Sequence, residues 1–201
     1  MTPEPSMSHI PPTPPIRFAL IGAAGRYEAM KDFRNLLTAA ASVHRTHANA
    51  RFVLAGSGVD ESNGELVSMS RELGVDGIVH LLGYRRDMPR VMASLDLFCS
   101  SSAYGEGMQN TLGEAMAAAV PCVATDVGDA AVLVGETGRI VPPRDSEALA
   151  TAMRELLASP SRLMELGRRA RERITAAFSI GASVARYENL YAGLSSRRAD
   201  E

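Results

Sequence analysis

With 201 residues, 46% apolar and 22% charged, the chain is long enough for one domain with a real core and has the composition of an ordinary soluble globular protein. A net charge of −2 gives no global preference for nucleic acid. Its two cysteines, Cys99 and Cys122, provide no disulfide framework; both adjoin apolar strand-like runs and read as buried thiols of a protein in a reducing, cytoplasmic compartment.

Residues 1–15 hold six prolines and lack the charged start and apolar centre of a signal peptide, so they read as an extended or disordered tail. No apolar run approaches the length of a membrane span. From residue 16 short apolar runs alternate with helical patterns. Strands are expected over 16–21, 51–55, 78–82, 95–99 and 121–125, with a short sixth over 138–141. These runs are rich in Val, Ile, Leu and Phe without clean alternation, as in strands buried on both faces. Between them, 32–47, 61–73, 87–94 and 109–119 carry helical patterns. The rhythm predicts an α/β fold, a doubly wound, Rossmann-like parallel sheet covered by helices on both sides. The last third reads as helical. Asp145 caps a helix with Leu149, Met153, Leu156 and Leu157 on one face, and Ser159-Pro160 restarts another. A final helix follows Phe178-Ser179, and a polar tail is expected over 195–201. There is no internal repeat.

Ligands of such sheets bind beyond the carboxyl ends of the strands. Four strand-end segments carry chemistry there. The run 22–31 has glycines that permit a tight, exposed backbone, with Arg26 and Lys31 as two cations suited to phosphate oxygens. A plainer reading makes these two solvated surface charges. Gly56-Ser57-Gly58 follows the second strand; taken alone it is a tight turn. Tyr84-Arg85-Arg86-Asp87 follows the third, where backbone could read a base edge and Tyr84 or Arg85 could stack on it; the plainer reading is a turn capped by Asp87. The fourth is the stretch 104–117, in which Glu106 lies in a loop and Glu114 inside the following helix. A helix N-terminus between two carboxylates suits a phosphorylated sugar: unpaired N–H groups take the phosphate and carboxylates accept from hydroxyls.

In order and spacing these pieces resemble the C-terminal, donor-binding domain of GT-B glycosyltransferases of retaining family 4, the glycosyl transferases group 1. The resemblance runs from Phe18 to about Leu194. It rests on Gly25-Arg26 with Lys31-Asp32, Ala55-Gly56-Ser57-Gly58, Leu82-Gly83, Glu106-x7-Glu114 with Ala115-Met116-Ala117, the segment 121–129, the segment 137–143 and Phe178-Ser179. It implies a single donor-binding domain over 16–194. Arg26 and Lys31 would hold the diphosphate, Glu106 the sugar hydroxyls and Glu114 the ribose. Backbone N–H groups of Gln109, Asn110 and Thr111 would face sugar and phosphate oxygens, backbone near Tyr84 would read the base, and Gly25, Gly56 and Gly58 would shape the pocket. Glu106, Arg26 and Lys31 are the residues expected to serve transfer itself. The ligand implied is a nucleoside-diphosphate sugar, with no cofactor and no metal; His9, His44, His47 and His80 show no metal spacing. No nucleophile is evident. The family's front-side transfer, in which the leaving phosphate helps deprotonate the acceptor, is the implied mechanism.

The resemblance also implies a partner, an acceptor-binding domain or separate chain, without which transfer is incomplete. Alternatives are a non-catalytic nucleotide-sugar-binding module or remnant and, fitting the two glutamates less well, an epimerase-like enzyme. The sequence departs from the family pattern at Met108, Gln109 and Ala119; Ala119 stands where Gly is usual and would be strained if that position needs a positive φ. Five arginines between Arg162 and Arg173 raise the prospect of peripheral membrane contact with a lipid-linked acceptor, against the plainer reading of a solvated helix face.

Overall fold

The computed structural model describes residues 18–199, with side chains up to residue 192. The proline-rich segment expected over 1–15 lies outside the described residues. Six parallel strands form one sheet in the order β3-β2-β1-β4-β5-β6: β1 Ala19–Ala24, β2 Ala50–Ala55, β3 Val79–Leu81, β4 Leu97–Ser100, β5 Cys122–Thr125 and β6 Arg139–Val141. Register is continuous from Ala19 opposite Ala50 to Ala24 opposite Ala55, and Ile21 lies opposite Leu97 on the other side of β1. This is the doubly wound, Rossmann-like arrangement predicted, and strand order reverses between β1 and β4.

The helices are α1 Phe33–Thr46, α2 Gly64–Glu72, α3 Met88–Ala93, α4 Asn110–Ala117, α5 Ala130–Val134, α6 Ser146–Leu157, α7 Pro160–Phe178 and α8 Ile180–Ala199. Side chains of β4 point alternately to the two faces. Leu97 and Cys99 join one core with Leu36, Leu37, Val43, Leu149, Met153 and Leu156, contributed by α1 and α6. Phe98 joins the other core with Met92, Leu112, Met116 and Leu133, from α3, α4 and α5. Each fully buried Leu contributes about 1.5–3 kcal/mol. The same alternation puts Cys99 and Cys122 in separate cores, both as buried free thiols.

Three elements differ from expectation. The first strand is displaced toward Gly22-Ala23-Ala24, because pairing with β2 and β4 outweighs the poor strand propensity of Ala and Gly. The apolar run 130–134 forms a short helix that periodicity does not reveal. The polar tail expected from residue 195 continues as helix through Ala199. Within α7, Arg168 pairs with Glu165 and Glu172, Arg169 lies 3.7 Å from Glu136, and Arg173 donates to the carbonyls of Leu133 and Val132. Much of the arginine run is thus engaged within the protein. Among the described residues no helix is long and apolar enough to cross a membrane.

Candidate functional site

The segments leaving β1, β2 and β3 are stitched by backbone hydrogen bonds. The N–H of Gly25 donates to Ala55 O (3.0 Å), that of Tyr27 to Ser57 O (2.9 Å) and that of Gly56 to Gly83 O (2.9 Å). Gly56 is required by this junction: a Cβ there would lie 1.8 Å from Gly25 O. Gly25 and Gly56 therefore meet directly, and Gly58, at φ +73°, lies against Tyr27.

A second set of ties joins the segment after β1 to the one after β4, across the point of strand reversal. Ala103 N–H donates to Met30 O (2.7 Å), and the Ser101 hydroxyl donates to Lys31 O (2.8 Å). These bonds bring together two side chains 75 residues apart: Lys31 Nζ lies 2.5 Å from Glu106 Oε1, with side chains only 22% and 10% exposed. The Ser102 hydroxyl donates to the same carboxylate oxygen at 2.6 Å. Ser102 is fixed in turn, because Thr125 Oγ1 donates to its carbonyl at 2.6 Å. The segment after β5 closes the wall, where Gly128 at φ +60° leaves no room for a Cβ against Glu106 O.

Glu106 leads into α4, whose first residue is Asn110. Gln109 at the cap position makes no side-chain bond to the helix. Its amide is buried and directed elsewhere, accepting from the Ser100 hydroxyl (2.6 Å) and donating to Val127 O (3.3 Å). The backbone N–H groups of Asn110 and Thr111 have no partner among the described residues. They form a positive helix end beside the Lys31–Glu106 pair. Glu114 is exposed one turn further on, on the face that carries Asn110.

Other expected residues sit at the surface. Arg26 is largely exposed and paired with Glu28 at 3.2 Å. Tyr84 is 71% exposed. Arg85 grips Asp87 with two bonds of 2.8 and 2.7 Å. Those bonds, from Arg85 first, hold the Asp87 carboxyl below the usual carboxylate range, and they leave it making no side-chain cap to α3. The expected Asp87 cap is thus replaced by an ion pair. Tyr27 packs on Phe33, and burial together with the Glu65 carboxylate raises its phenol above the ordinary value. Ser102, Thr125 and the buried side chain of Gln109 belong to the site without standing out in the sequence. Each acts through a contact between segments, and the one local hint was the four-residue separation of Ser102 and Glu106.

The family model for glycosyl transferases group 1 matches residues 19–159, well over half of the chain. The chain belongs to that family. It is 36% identical over 157 residues to an exopolysaccharide phosphotransferase of Streptomyces coelicolor, a match covering 77% of this chain and 16% of that protein. It is also 36% identical over 124 residues to MMP alpha-(1->4)-mannosyltransferase of Mycolicibacterium hassiacum, covering 59% of this chain and 30% of that one. Among solved structures, Anabaena HepE in complex with UDP superposes with a TM-score of 0.78 at 25% identity, covering 90% of this chain and 49% of HepE. The group 1 chain described here thus spans half or less of the length of these relatives.

Proposed function

We propose that this chain binds a nucleoside-diphosphate sugar and serves as the donor half of a retaining glycosyltransferase, completed by an acceptor-binding domain. The observation that carries this reading is the placement of the Lys31–Glu106 pair beside the uncapped start of α4, at the reversal of strand order. That crevice is where doubly wound sheets bind ligands. UDP in the superposable HepE complex supports the same ligand class.

In this reading the N–H groups of Asn110 and Thr111 take phosphate oxygens, and Lys31 and Arg26 balance the charge that grows on the departing diphosphate. Glu106 accepts from hydroxyls of the sugar and Glu114 from those of the ribose, while backbone near Tyr84 meets the base. Glu106 already accepts from Lys31 and Ser102, which makes it an anchor for the sugar and a poor nucleophile. The C1–O bond to the diphosphate breaks as the acceptor oxygen bonds C1 from the same face, and the acceptor proton passes to the leaving phosphate oxygen.

Calorimetric titration of the 201-residue chain with UDP, GDP and ADP tests the donor site. Binding of at least one is expected, weakened by Arg26→Ala, Lys31→Ala and Glu114→Ala. Absence of heat with all three nucleotides would overturn the reading.

A further inference from the structure

The carboxylate of Glu106 is held by one of its two oxygens. Oε1 takes both donors that reach it, Lys31 Nζ at 2.5 Å and the Ser102 hydroxyl at 2.6 Å. Oε2 has no partner among the described residues. The two donors differ in kind. Lys31 ends a flexible stem, keeps 22% of its side chain exposed and carries the charge that a diphosphate would draw on. Ser102 is neutral and 1% exposed, with its oxygen one carbon from the backbone.

Ser102 is itself anchored. Thr125, fully buried at the end of β5, donates from Oγ1 to its carbonyl at 2.6 Å. The neighbouring Ser101 hydroxyl ties the same segment to Lys31 O at 2.8 Å. The backbone at Glu106 is fixed by other contacts: Gly128 packs against its carbonyl, and Asp129 N–H donates to Gly107 O at 3.2 Å. The loop therefore has supports besides the Ser102 hydroxyl, and what that hydroxyl holds is the carboxylate. It also lacks room to meet a ligand itself. The hollow bounded by Gly25, Lys31 and Ser100 to Ser102 encloses about 20 Å³, space for about one water and not for a sugar ring.

We infer that Ser102 is a positioning residue that lets the site tell an intact sugar nucleotide from the bare nucleoside diphosphate left after transfer. The inference rests on the donor reading above. A diphosphate in the crevice draws on the Lys31 ammonium and so weakens the hold of Lys31 on Glu106. The buried Ser102 hydroxyl is out of reach of the phosphates. It keeps Oε1 occupied with or without the nucleotide and leaves Oε2 as the oxygen open to a sugar hydroxyl. Hydrogen bonds to a carboxylate are roughly twice as strong as neutral ones. A carboxylate ordered beforehand collects that gain without first being immobilised. The bare nucleotide has no hydroxyl to offer there and gains nothing from the arrangement.

The test is calorimetric titration of the chain and its variants with UDP-glucose, GDP-mannose and ADP-glucose, each beside UDP, GDP and ADP. For the pair that binds, Ser102→Ala should weaken the sugar nucleotide about tenfold and the bare nucleotide less than about twofold. Ser102→Cys, similar in shape with a weaker donor, should lie between the two. In a Glu106→Ala background Ser102→Ala should cost nothing further, because the carboxylate it positions is gone. A purely structural role would lower both affinities together and persist in that background. Thr125→Val, which removes the anchor of Ser102 without touching Glu106, should move the same ratio in the same direction and decides the matter if Ser102→Ala does not fold. An unchanged ratio of the two affinities would overturn the positioning role and leave the donor reading standing. No binding of any of the six compounds would overturn the donor reading, and the inference with it.

Discussion

The helices of this chain start in three ways. Helices α1, α2 and α6 each begin under a side-chain oxygen, with Asp32, Asn63 and Asp145 accepting from the backbone N–H groups of Asn35, Leu66 and Ala148. Helices α3 and α7 lack such a cap but carry a proline in the first turn, which removes a donor. The short helix α5 has neither device and closes its start on backbone, Ala130 N–H donating to Val127 O. Helix α4 has neither device and leaves the N–H groups of Asn110 and Thr111 without a partner among the described residues. Its cap residue is turned away to bridge Ser100 and Val127, and its start follows the segment that holds Glu106. Capping serves the chain's own stability where a helix end faces solvent or a neighbouring segment. Where a helix end faces the crevice, the protein leaves its donors open and spends the capping side chain on holding the site in shape.

Substitutions can break this contrast. The largest effect is expected from Gln109→Leu, which leaves the Ser100 hydroxyl without its partner and the Val127 carbonyl with only the 3.4 Å bond from Ala130 N–H. It should lower unfolding free energy by about 1–3 kcal/mol in denaturant titrations and weaken UDP binding as well. Unchanged stability would mean that the buried amide is not a brace. Asn110→Pro is the cleaner probe of the open donors. Position 110 is the first of the helix, and Gln109 at φ −79°, ψ 99° already has the extended backbone that precedes proline. The variant should keep its melting temperature within about 2 °C while UDP affinity falls about tenfold. Full retention of affinity would show that this N–H is not used.

Asp145→Ala probes the other class. Losing the cap of α6 should cost about 1 kcal/mol and leave UDP binding untouched. At the far end of α4, Ala119 sits at φ +61°, with Ala119 N–H donating to Met116 O and Val120 N–H to Ala115 O. These are the bonds of a glycine-type helix stop made with alanine. Ala119→Gly should therefore raise stability by about 0.5–1 kcal/mol, read as a higher melting temperature. The smallest effect concerns pH. Burial pushes the Cys99 thiol up to about 12 and the Cys122 thiol higher still. A group whose folded value is raised contributes stability below its unfolded value and loses it as pH rises. Stability should thus fall above about pH 9, and replacing both cysteines by alanine should flatten that fall, whatever else it costs.

The sequence made the sheet legible because strands buried on both faces read as apolar runs and because turn and capping residues punctuate them. It made α4 legible through the spacing of Glu106 and Glu114 and through the Ala-rich turns that follow. The strained stop at Ala119 was readable through the family resemblance, as a position where glycine is usual. The supports of the site were not. Ser102 gives no periodic signal, Thr125 reads as an ordinary strand residue, and nothing in the sequence places the Gln109 side chain beside Ser100. Arg26 and Lys31 share one loop in sequence, yet one is paired at the surface and the other is drawn into the crevice, because only Lys31 meets the loop after β4. The short helix α5 was hidden because five apolar residues fit a strand equally well.

The sheet order has a consequence for how the chain acquires its structure during synthesis. Strand β1 emerges before β2 and can pair with it almost at once, but its other edge is covered only by β4; the bond from Leu20 N–H to the Asp96 carboxylate spans 76 residues. Until that length has been made, the nascent β1 presents an open parallel edge, and closing so long a loop is slow. The Lys31–Glu106 pair forms across the same closure, so the crevice is completed in the step that protects the edge from aggregation.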